Sequence, residues 1–172
     1  KRFSHRMLLD SMAESVDNLD NKHANTQIPK VIGYQRIAEL DGDPRYARAA
    51  AFFWQTVTGT RSLSLGGNSC REHFPAKDAC MSYMIERDGP ETCNTYNMLK
   101  LTEGLFRMSP DAKYADFYER AMFNHILSTQ HPVHGGYVYF TQARPAHYRV
   151  YSAPNSAMWC CVGSGMENHG KY

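Results

Sequence analysis

Five stretches of this chain place apolar residues three or four positions apart, which is the spacing of one face of an α-helix. Pro29 stands where the second of these helices can begin, because proline is tolerated in a first helical turn. Residues 60–91 lack the period and are expected to be irregular. The chain is therefore predicted to be mainly α, with helices inside residues 3–19, 29–40, 44–57, 92–108 and 114–127.

Two short strings that each open a helix resemble one another, at residues 43–47 and 111–115. Each string follows a helix that contains a glutamate, Glu39 or Glu103. A repeated pair of helices must stack on its neighbours to bury its apolar faces, and such stacking builds helical solenoids and closed α/α toroids. The alternative is that two helix starts are similar by chance.

Two segments after the last of these helices have a β-type composition. Residues 136–141 and 148–151 are rich in tyrosine and valine, and Pro145 lies between them. This arrangement predicts a small β-hairpin beside the helices.

Size and charge exclude several classes of protein. At 172 residues with 42% apolar content, the chain suits one domain rather than two. The net charge is +2 without a basic stripe, so nucleic acid is not an expected partner. No apolar run approaches the roughly 20 residues of a membrane-spanning helix. Because Lys1 stands where an initiator methionine would be, we expect residues 1–172 to be a single segment of a longer protein of unknown oligomeric state.

The five cysteines form an odd set, which fits a disulfide scaffold poorly. Metal binding or reactive thiol chemistry is favoured instead. Cys70 and Cys80 have no partner motif and are interpreted as structural. Thiols that must stay reduced favour the cytoplasm over the periplasm.

A candidate metal site combines two distant segments of the sequence. Three thiols and one carboxylate suit tetrahedral Zn²⁺ and do not suit calcium or magnesium. The glycines after Cys161 would allow the backbone to turn there. Buried cysteines that act as small apolar residues are the alternative. The candidate ligands are Glu91, Cys93, Cys160 and Cys161.

Four motifs in order resemble those of the β-L-arabinofuranosidases of glycoside hydrolase family 127. They are residues 23–30 (His-Ala-Asn-Thr-Gln-Ile-Pro-Lys), 66–74 (with Gly-Gly-Asn-Ser and Glu-His-Phe), 91–94 (Glu-Thr-Cys-Asn) and 159–163 (Trp-Cys-Cys-Val-Gly). The resemblance implies an (α/α)₆ catalytic barrel. This chain would be one part of it, because family members are several times longer.

The resemblance also implies roles for individual residues. Glu91, Cys93, Cys160 and Cys161 would bind zinc, with Cys160 as nucleophile and Glu72 as general acid/base. Together they imply a retaining glycosidase that acts on arabinofuranose-containing carbohydrates.

Alternative roles are possible for several residues in or near these motifs. The alternative to Glu72 within the same region is Glu86. His23 and Tyr139 would contact the sugar, although His23 could equally cap a helix and Tyr139 could belong to the core.

Two other functions use the same residues. A zinc-stabilised carbohydrate-binding or structural module would have the four ligands without a neighbouring acid. A cysteine hydrolase would pair Cys160 with His125 or His169 and would need no metal. Retaining glycosidase chemistry instead requires Glu72 and Cys160 to face one pocket, about 5 Å apart.

Overall fold

A computed structural model describes residues 1–79 and 81–171 of the chain. Within these residues the structure is mainly helical, with short 3₁₀ turns at Leu127–Thr129 and His169–Lys171 and a π-helical turn at Met122–Ile126. The α-helices of the described residues are α1 (Arg6–Ala13), α2 (Ala24–Asp41), α3 (Pro44–Thr60), α4 (Ser82–Ile85), α5 (Thr92–Met108), α6 (Ala112–Ala121) and α7 (Cys160–Asn168).

Helices α2 and α3 form a first hairpin, and α5 and α6 form a second. Gly42 ends α2 with a left-handed backbone (φ 67°), which glycine adopts without steric cost. Asp43 and Asp111 cap the second helix of each hairpin, since their carboxylates accept from the backbone N–H two positions on, at 3.1 and 3.0 Å. The two similar strings in the sequence therefore begin equivalent helices.

The core lies where the two hairpins pack together. Trp54 of α3 makes edge-to-face contacts with Tyr114 and Phe117 of α6, at centroid distances of 4.7 and 5.7 Å. Its indole N–H donates to Thr102 Oγ1 of α5 at 2.8 Å. Edge-to-face aromatic pairs stabilise beyond the area they bury. Trp54 therefore joins the two hairpins.

The first two helices differ from their predicted bounds. Helix α1 ends at Ala13, because Ser15 has a positive φ of 59° that no continuing α-helix allows. Helix α2 begins at Ala24 rather than at Pro29, and His23 is its N-cap residue. Pro29 is the sixth residue of α2, so its missing N–H removes one hydrogen bond inside the helix, which nevertheless continues to Asp41.

The predicted β-hairpin is reduced to one bridge. Val138 pairs antiparallel with Tyr151, but the flanking residues of the first segment pair elsewhere, Tyr137 with Gln130 and Phe140 with Glu91. The second segment is largely exposed, so it buries too little apolar surface to sustain a two-stranded ladder. Instead, residues 137–141 lie across the start of α5.

Candidate metal centre and active site

The N-termini of helices α5 and α7 lie close together in the fold. Glu91 is the N-cap of α5 and Cys93 lies in its first turn, while Cys160 and Cys161 are the first two residues of α7. One ligand atom from each of these four residues lies within 4.8 Å of the others. Helix N-termini carry partial positive charge, which stabilises thiolates and carboxylates placed there.

Helix α7 corrects the expectation that the glycines after Cys161 form a turn. They continue the helix, and Gly165 leaves room for Tyr137, since a Cβ there would lie 2.4 Å from the tyrosine ring. The helix also places Ser164 one turn after Cys161, with its Oγ 3.2 Å from Cys93 Sγ. Ser164 was missed in the sequence, because only helical periodicity through this segment would have placed it on the same face as Cys161.

The distances between the candidate ligands suit a tetrahedral ion. Sγ atoms of Cys93 and Cys161 are 3.2 Å apart, and those of Cys160 and Cys161 are 4.0 Å apart. Glu91 Oε1 lies 3.9 Å from the sulfur of both Cys160 and Cys161. With Zn–S bonds of about 2.3 Å, sulfur ligands in tetrahedral geometry are about 3.8 Å apart. The cluster therefore needs little rearrangement to hold zinc.

The electrostatics of the cluster also point to a cation. Glu91 is 1% exposed and its Oε2 has no hydrogen-bond partner among the described residues. Burial, and then the charge of Cys93, raise the pKa of Glu91 to about 8. A hydrogen bond from Cys161 lowers the pKa of Cys93 to about 6, and the same bond raises that of Cys161. Buried acidic groups in such contact require shared protons or a bound cation.

Exposure separates Cys160 from the other ligands. Glu91, Cys93 and Cys161 are buried, whereas Cys160 is exposed. A purely structural zinc site has no need of an accessible ligand. Cys160 is thus the candidate ligand that a molecule from solvent can approach.

Glu72 lies in a strained two-residue turn. Cys70 and His73 exchange both backbone hydrogen bonds, at 2.8 and 2.9 Å. The two residues between them, Arg71 and Glu72, have positive φ angles of 47° and 67°, the type I′ pattern normally occupied by Asn and Gly. Such conformations cost about 1–3 kcal/mol each and are concentrated at functional sites. The Glu72 carbonyl accepts from Ala24 N at 2.8 Å, which holds the turn against the start of α2.

Tyr139 is placed by backbone bonds to the residues around the start of α5. Its carbonyl accepts from Thr92 N at 3.0 Å, and Thr141 N donates to Pro90 O at 2.9 Å. The Thr92 hydroxyl donates to Val138 O at 2.7 Å. The segment that carries Tyr139 is therefore attached to the same helix N-terminus as two candidate metal ligands.

The side chain of Tyr139 lies near both candidate catalytic groups. Its hydroxyl donates to Glu72 Oε1, and the Cys160 thiol lies near enough to contribute to the raised pKa of Tyr139. His23 Nε2 lies 3.5 Å from the other Glu72 oxygen. Burial and the hydrogen bond to Glu72 raise the pKa of Tyr139, so its phenol stays protonated. The structure thus brings together Glu72, Cys160, His23 and Tyr139.

The structure argues against the two alternative roles, in which the His23 side chain caps a helix and Tyr139 belongs to the core. The His23 backbone carbonyl accepts from Thr26 N and Gln27 N, but its side chain makes no capping hydrogen bond. The Tyr139 ring is only partly buried. Both side chains are directed to Glu72.

Glu86 and Cys70 lie outside this constellation. Glu86 forms an ion pair with Arg71 at 2.8 Å. Cys70 is buried, and burial raises its pKa to about 11, so the thiol stays protonated and unreactive. Cys80 lies outside the described residues.

Neither histidine proposed as a base for a cysteine hydrolase is placed for that role. The ring nitrogens of buried His125 bond to Thr95 Oγ1 at 2.8 Å and Thr141 Oγ1 at 3.0 Å, and burial lowers its pKa to about 3. His169 follows the C-terminal end of α7, whereas Cys160 begins that helix. Nine residues of α-helix separate their backbones by about 13 Å. The geometry does not favour a Cys–His pair.

No helix among residues 1–79 and 81–171 combines the length and the hydropathy needed to cross a bilayer.

Comparison with known proteins found a family model and a solved structure that are similar to this chain. The family model of the GH127 β-L-arabinofuranosidase catalytic domain matches residues 1–172. A crystal structure of a GH127 β-L-arabinofuranosidase from Geobacillus stearothermophilus T6 is similar, with a TM-score of 0.62 and 22% sequence identity. The match covers 76% of this chain and 20% of that one, so this chain spans about a fifth of its length. No curated protein matches the sequence.

At this level of identity the structural likeness establishes a common fold, which is mainly helical and consistent with part of a helical barrel. The match of the family model over the whole sequence establishes the family. The chain belongs to the GH127 β-L-arabinofuranosidase family of glycoside hydrolases, in the region of its catalytic domain.

Proposed function

We propose that this chain supplies the nucleophile, the general acid/base and the metal ligands of a retaining glycoside hydrolase that acts on β-L-arabinofuranosides. The observation that carries the proposal is the position of Tyr139, whose hydroxyl donates to the Glu72 carboxyl and whose phenol lies near enough to Cys160 for the thiol to raise its pKa. A proton donor and a nucleophile that lie near one side chain can act on one glycosidic bond.

Zinc is the proposed metal, because three sulfurs and one buried carboxylate match its preferred donors. Glu91, Cys93, Cys160 and Cys161 would hold it, and the unpartnered Glu91 Oε2 supports this assignment. When bound, zinc keeps the coordinating thiols deprotonated near neutral pH.

The first half of the reaction uses both catalytic groups. The Cys160 sulfur attacks the anomeric carbon and forms a C–S bond as the glycosidic C–O bond breaks. Glu72 transfers its proton to the departing oxygen, so the leaving group departs as an alcohol. This step inverts the anomeric centre once and leaves the sugar attached to Cys160.

The second half releases the sugar. Glu72, now a carboxylate, accepts a proton from water while the water oxygen attacks the anomeric carbon. The C–S bond breaks, and the electron pair returns to the sulfur of Cys160. A second inversion gives net retention, as in glycosidases with two carboxylates, with a thiolate in place of the nucleophilic carboxylate.

His23 and Tyr139 are proposed to position both Glu72 and the sugar. Each contacts a different oxygen of the Glu72 carboxyl. The buried Nδ1 of His23 has no partner among the described residues. These polar atoms border the place where the reacting sugar must lie, and they can bind its hydroxyls.

The non-catalytic zinc module accounts for less of the structure. It requires neither the exposure of Cys160 nor the strained turn that directs Glu72 at Tyr139. A structural site fills its coordination sphere with four protein ligands and needs none of them to be accessible from solvent. The exposure of Cys160 and the contact of Glu72 with Tyr139 favour the catalytic function.

Replacement of the nucleophile is the decisive test. In the full-length protein, Cys160→Ser should reduce turnover of an aryl β-L-arabinofuranoside by at least about a thousandfold, because a serine hydroxyl is a far weaker nucleophile than a thiolate. Circular dichroism should show an unchanged fold. Proton NMR of the first sugar released by the wild type should show the β anomer, as retention requires.

The matched control is Cys70→Ser, a buried cysteine outside the cluster, which should remain active. Wild-type turnover by Cys160→Ser would refute the nucleophile assignment. Release of the α anomer first would refute the retaining mechanism.

A further inference from the structure

A buried hydrogen bond joins helix α5 to the segment that carries Glu72. Asn94 lies in the first turn of α5, directly after the candidate ligand Cys93, and its Nδ2 donates to Ser69 Oγ at 2.7 Å. Ser69 precedes Glu72 by three residues. The side chains of Asn94 and Ser69 are both fully buried. The bond therefore connects the helix that begins at the metal cluster with the turn of the proposed acid/base.

Ser69 has a backbone conformation that needs support. Its φ is 81°, and Arg71 and Glu72 also have positive φ angles, so most of this short segment is strained. Such conformations persist only where the surrounding structure holds them. The backbone N–H of Ser69 donates to the Tyr83 hydroxyl at 3.1 Å, and its side-chain hydroxyl accepts from Asn94. Contacts from two other parts of the fold thus hold Ser69 in place.

Stability alone does not account for a polar pair at this position. A buried amide and a hydroxyl that bond to each other give up their bonds to water, so the net gain is small, and an apolar pair of similar shape is often as stable. Asn94 Oδ1 also has no partner among the described residues, which costs stability. A hydrogen bond is directional, however, and it fixes the separation of the groups that form it. The pair therefore suits a role in geometry.

We propose that Asn94 and Ser69 are positioning residues for the proposed acid/base, and that their hydrogen bond holds Glu72 at a fixed distance from the nucleophile. This inference rests on the proposed function. Proton transfer requires Glu72 within hydrogen-bond reach of the departing oxygen, and a displacement of about 1 Å can cost about a hundredfold in rate. The turn is also held by backbone bonds, such as Arg71 N to Asp88 O at 2.8 Å. Loss of the side-chain bond should therefore weaken acid catalysis without abolishing it.

Two substrates that differ in their need for acid catalysis test the inference in the full-length protein. An alkyl β-L-arabinofuranoside requires protonation of its leaving oxygen, whereas the dinitrophenyl glycoside does not. Ser69→Gly removes the hydroxyl without adding strain, because glycine adopts a positive φ freely. In this variant kcat/KM should fall about tenfold on the alkyl substrate and less than about twofold on the dinitrophenyl substrate. The zinc content should remain that of the wild type.

A double variant tests whether Asn94 acts through Ser69. Asn94→Ala should show the same selective loss as Ser69→Gly, and the two changes together should cost no more than either alone, because both remove one bond. Multiplied losses in the double variant would overturn this route.

Two further variants separate this inference from the proposed function. Thr102→Ala, the matched control, removes another buried hydroxyl of α5, which accepts from the Trp54 indole, and should leave the ratio of kcat/KM on the two substrates unchanged. Glu72→Gln should lower that ratio by at least about a hundredfold, because the acid itself is lost.

The outcomes are distinguishable. Equal losses on both substrates, no loss, or a loss of zinc in Ser69→Gly would overturn the positioning role, while a selective loss in Glu72→Gln would leave the proposed function intact. Equal losses on both substrates in Glu72→Gln would overturn the acid assignment and the positioning role together.

Discussion

The two helical hairpins share one construction but differ at the N-terminus of their first helix. In both, an aspartate cap begins the second helix. The glutamates of both first helices converge on Arg107, since Glu39 and Glu103 each form an ion pair with its guanidinium, at 3.2 and 2.8 Å. The ion pair between Glu39 and Arg107 thus links α2 to α5 where the two hairpins meet.

The difference lies in which side chains stand at those first helix starts. Helix α2 is preceded by His23, which is partly exposed and lies beside Glu72. Helix α5 is preceded by buried Glu91 and carries buried Cys93, and it meets a second helix start at α7. Similar hairpins therefore supply equivalent positions, while the residue types at their N-termini decide whether a position suits the proposed sugar contact or the proposed metal site.

The largest expected effect tests whether the N-termini of α2 and α5 have different roles. Cys93→Ala should lower zinc content from about one per chain to about a tenth of that, because three remaining ligands hold the metal much more weakly. His23→Ala should keep its zinc and lose about tenfold in kcat/KM through one lost polar contact. Metal analysis and kinetics of the full-length variants measure both. Loss of zinc from His23→Ala would show that the two N-termini are not functionally distinct.

The next largest effect is expected from substitutions in the contact between the two hairpins. Trp54→Ala should lower the free energy of unfolding by about 3–5 kcal/mol, because it removes a buried indole that packs against α6. Trp54→Phe should cost less, about 1–2 kcal/mol, since an aromatic ring remains while the hydrogen bond to Thr102 is lost. Urea denaturation compares the two. Equal losses would show that the hydrogen bond, and not the ring packing, joins the hairpins.

The smallest effect should come from the equivalent caps. Asp43→Ala and Asp111→Ala should each lower the free energy of unfolding by about 1 kcal/mol, as N-cap replacements do. Asp43→Asn and Asp111→Asn should restore most of it, because asparagine also caps well. Thermal unfolding measures these changes. A markedly larger loss at one cap would show that the two hairpins are less alike than their sequences indicate.

Much of the helical fold could be predicted from local pattern. Helices α3, α5 and α6 lie close to their predicted positions, because aspartate caps and apolar periodicity act within a few residues. Helix α7 could not be predicted in this way, since two glycines lower its helix propensity and packing of Tyr137 over Gly165 stabilises it. The predicted β-hairpin was too long, because residues 137–141 bond to the start of α5 instead.

The sequence by itself determined the residue types of the site and their order, which was enough to indicate the family and a set of zinc ligands. Only the tertiary structure decided which of the clustered cysteines is exposed and that the Tyr139 hydroxyl contacts Glu72. The physical reason is distance along the chain. Cys93 and Cys161 are 68 positions apart, and Glu72 and Tyr139 are 67 apart, so their contacts depend on how the helices pack.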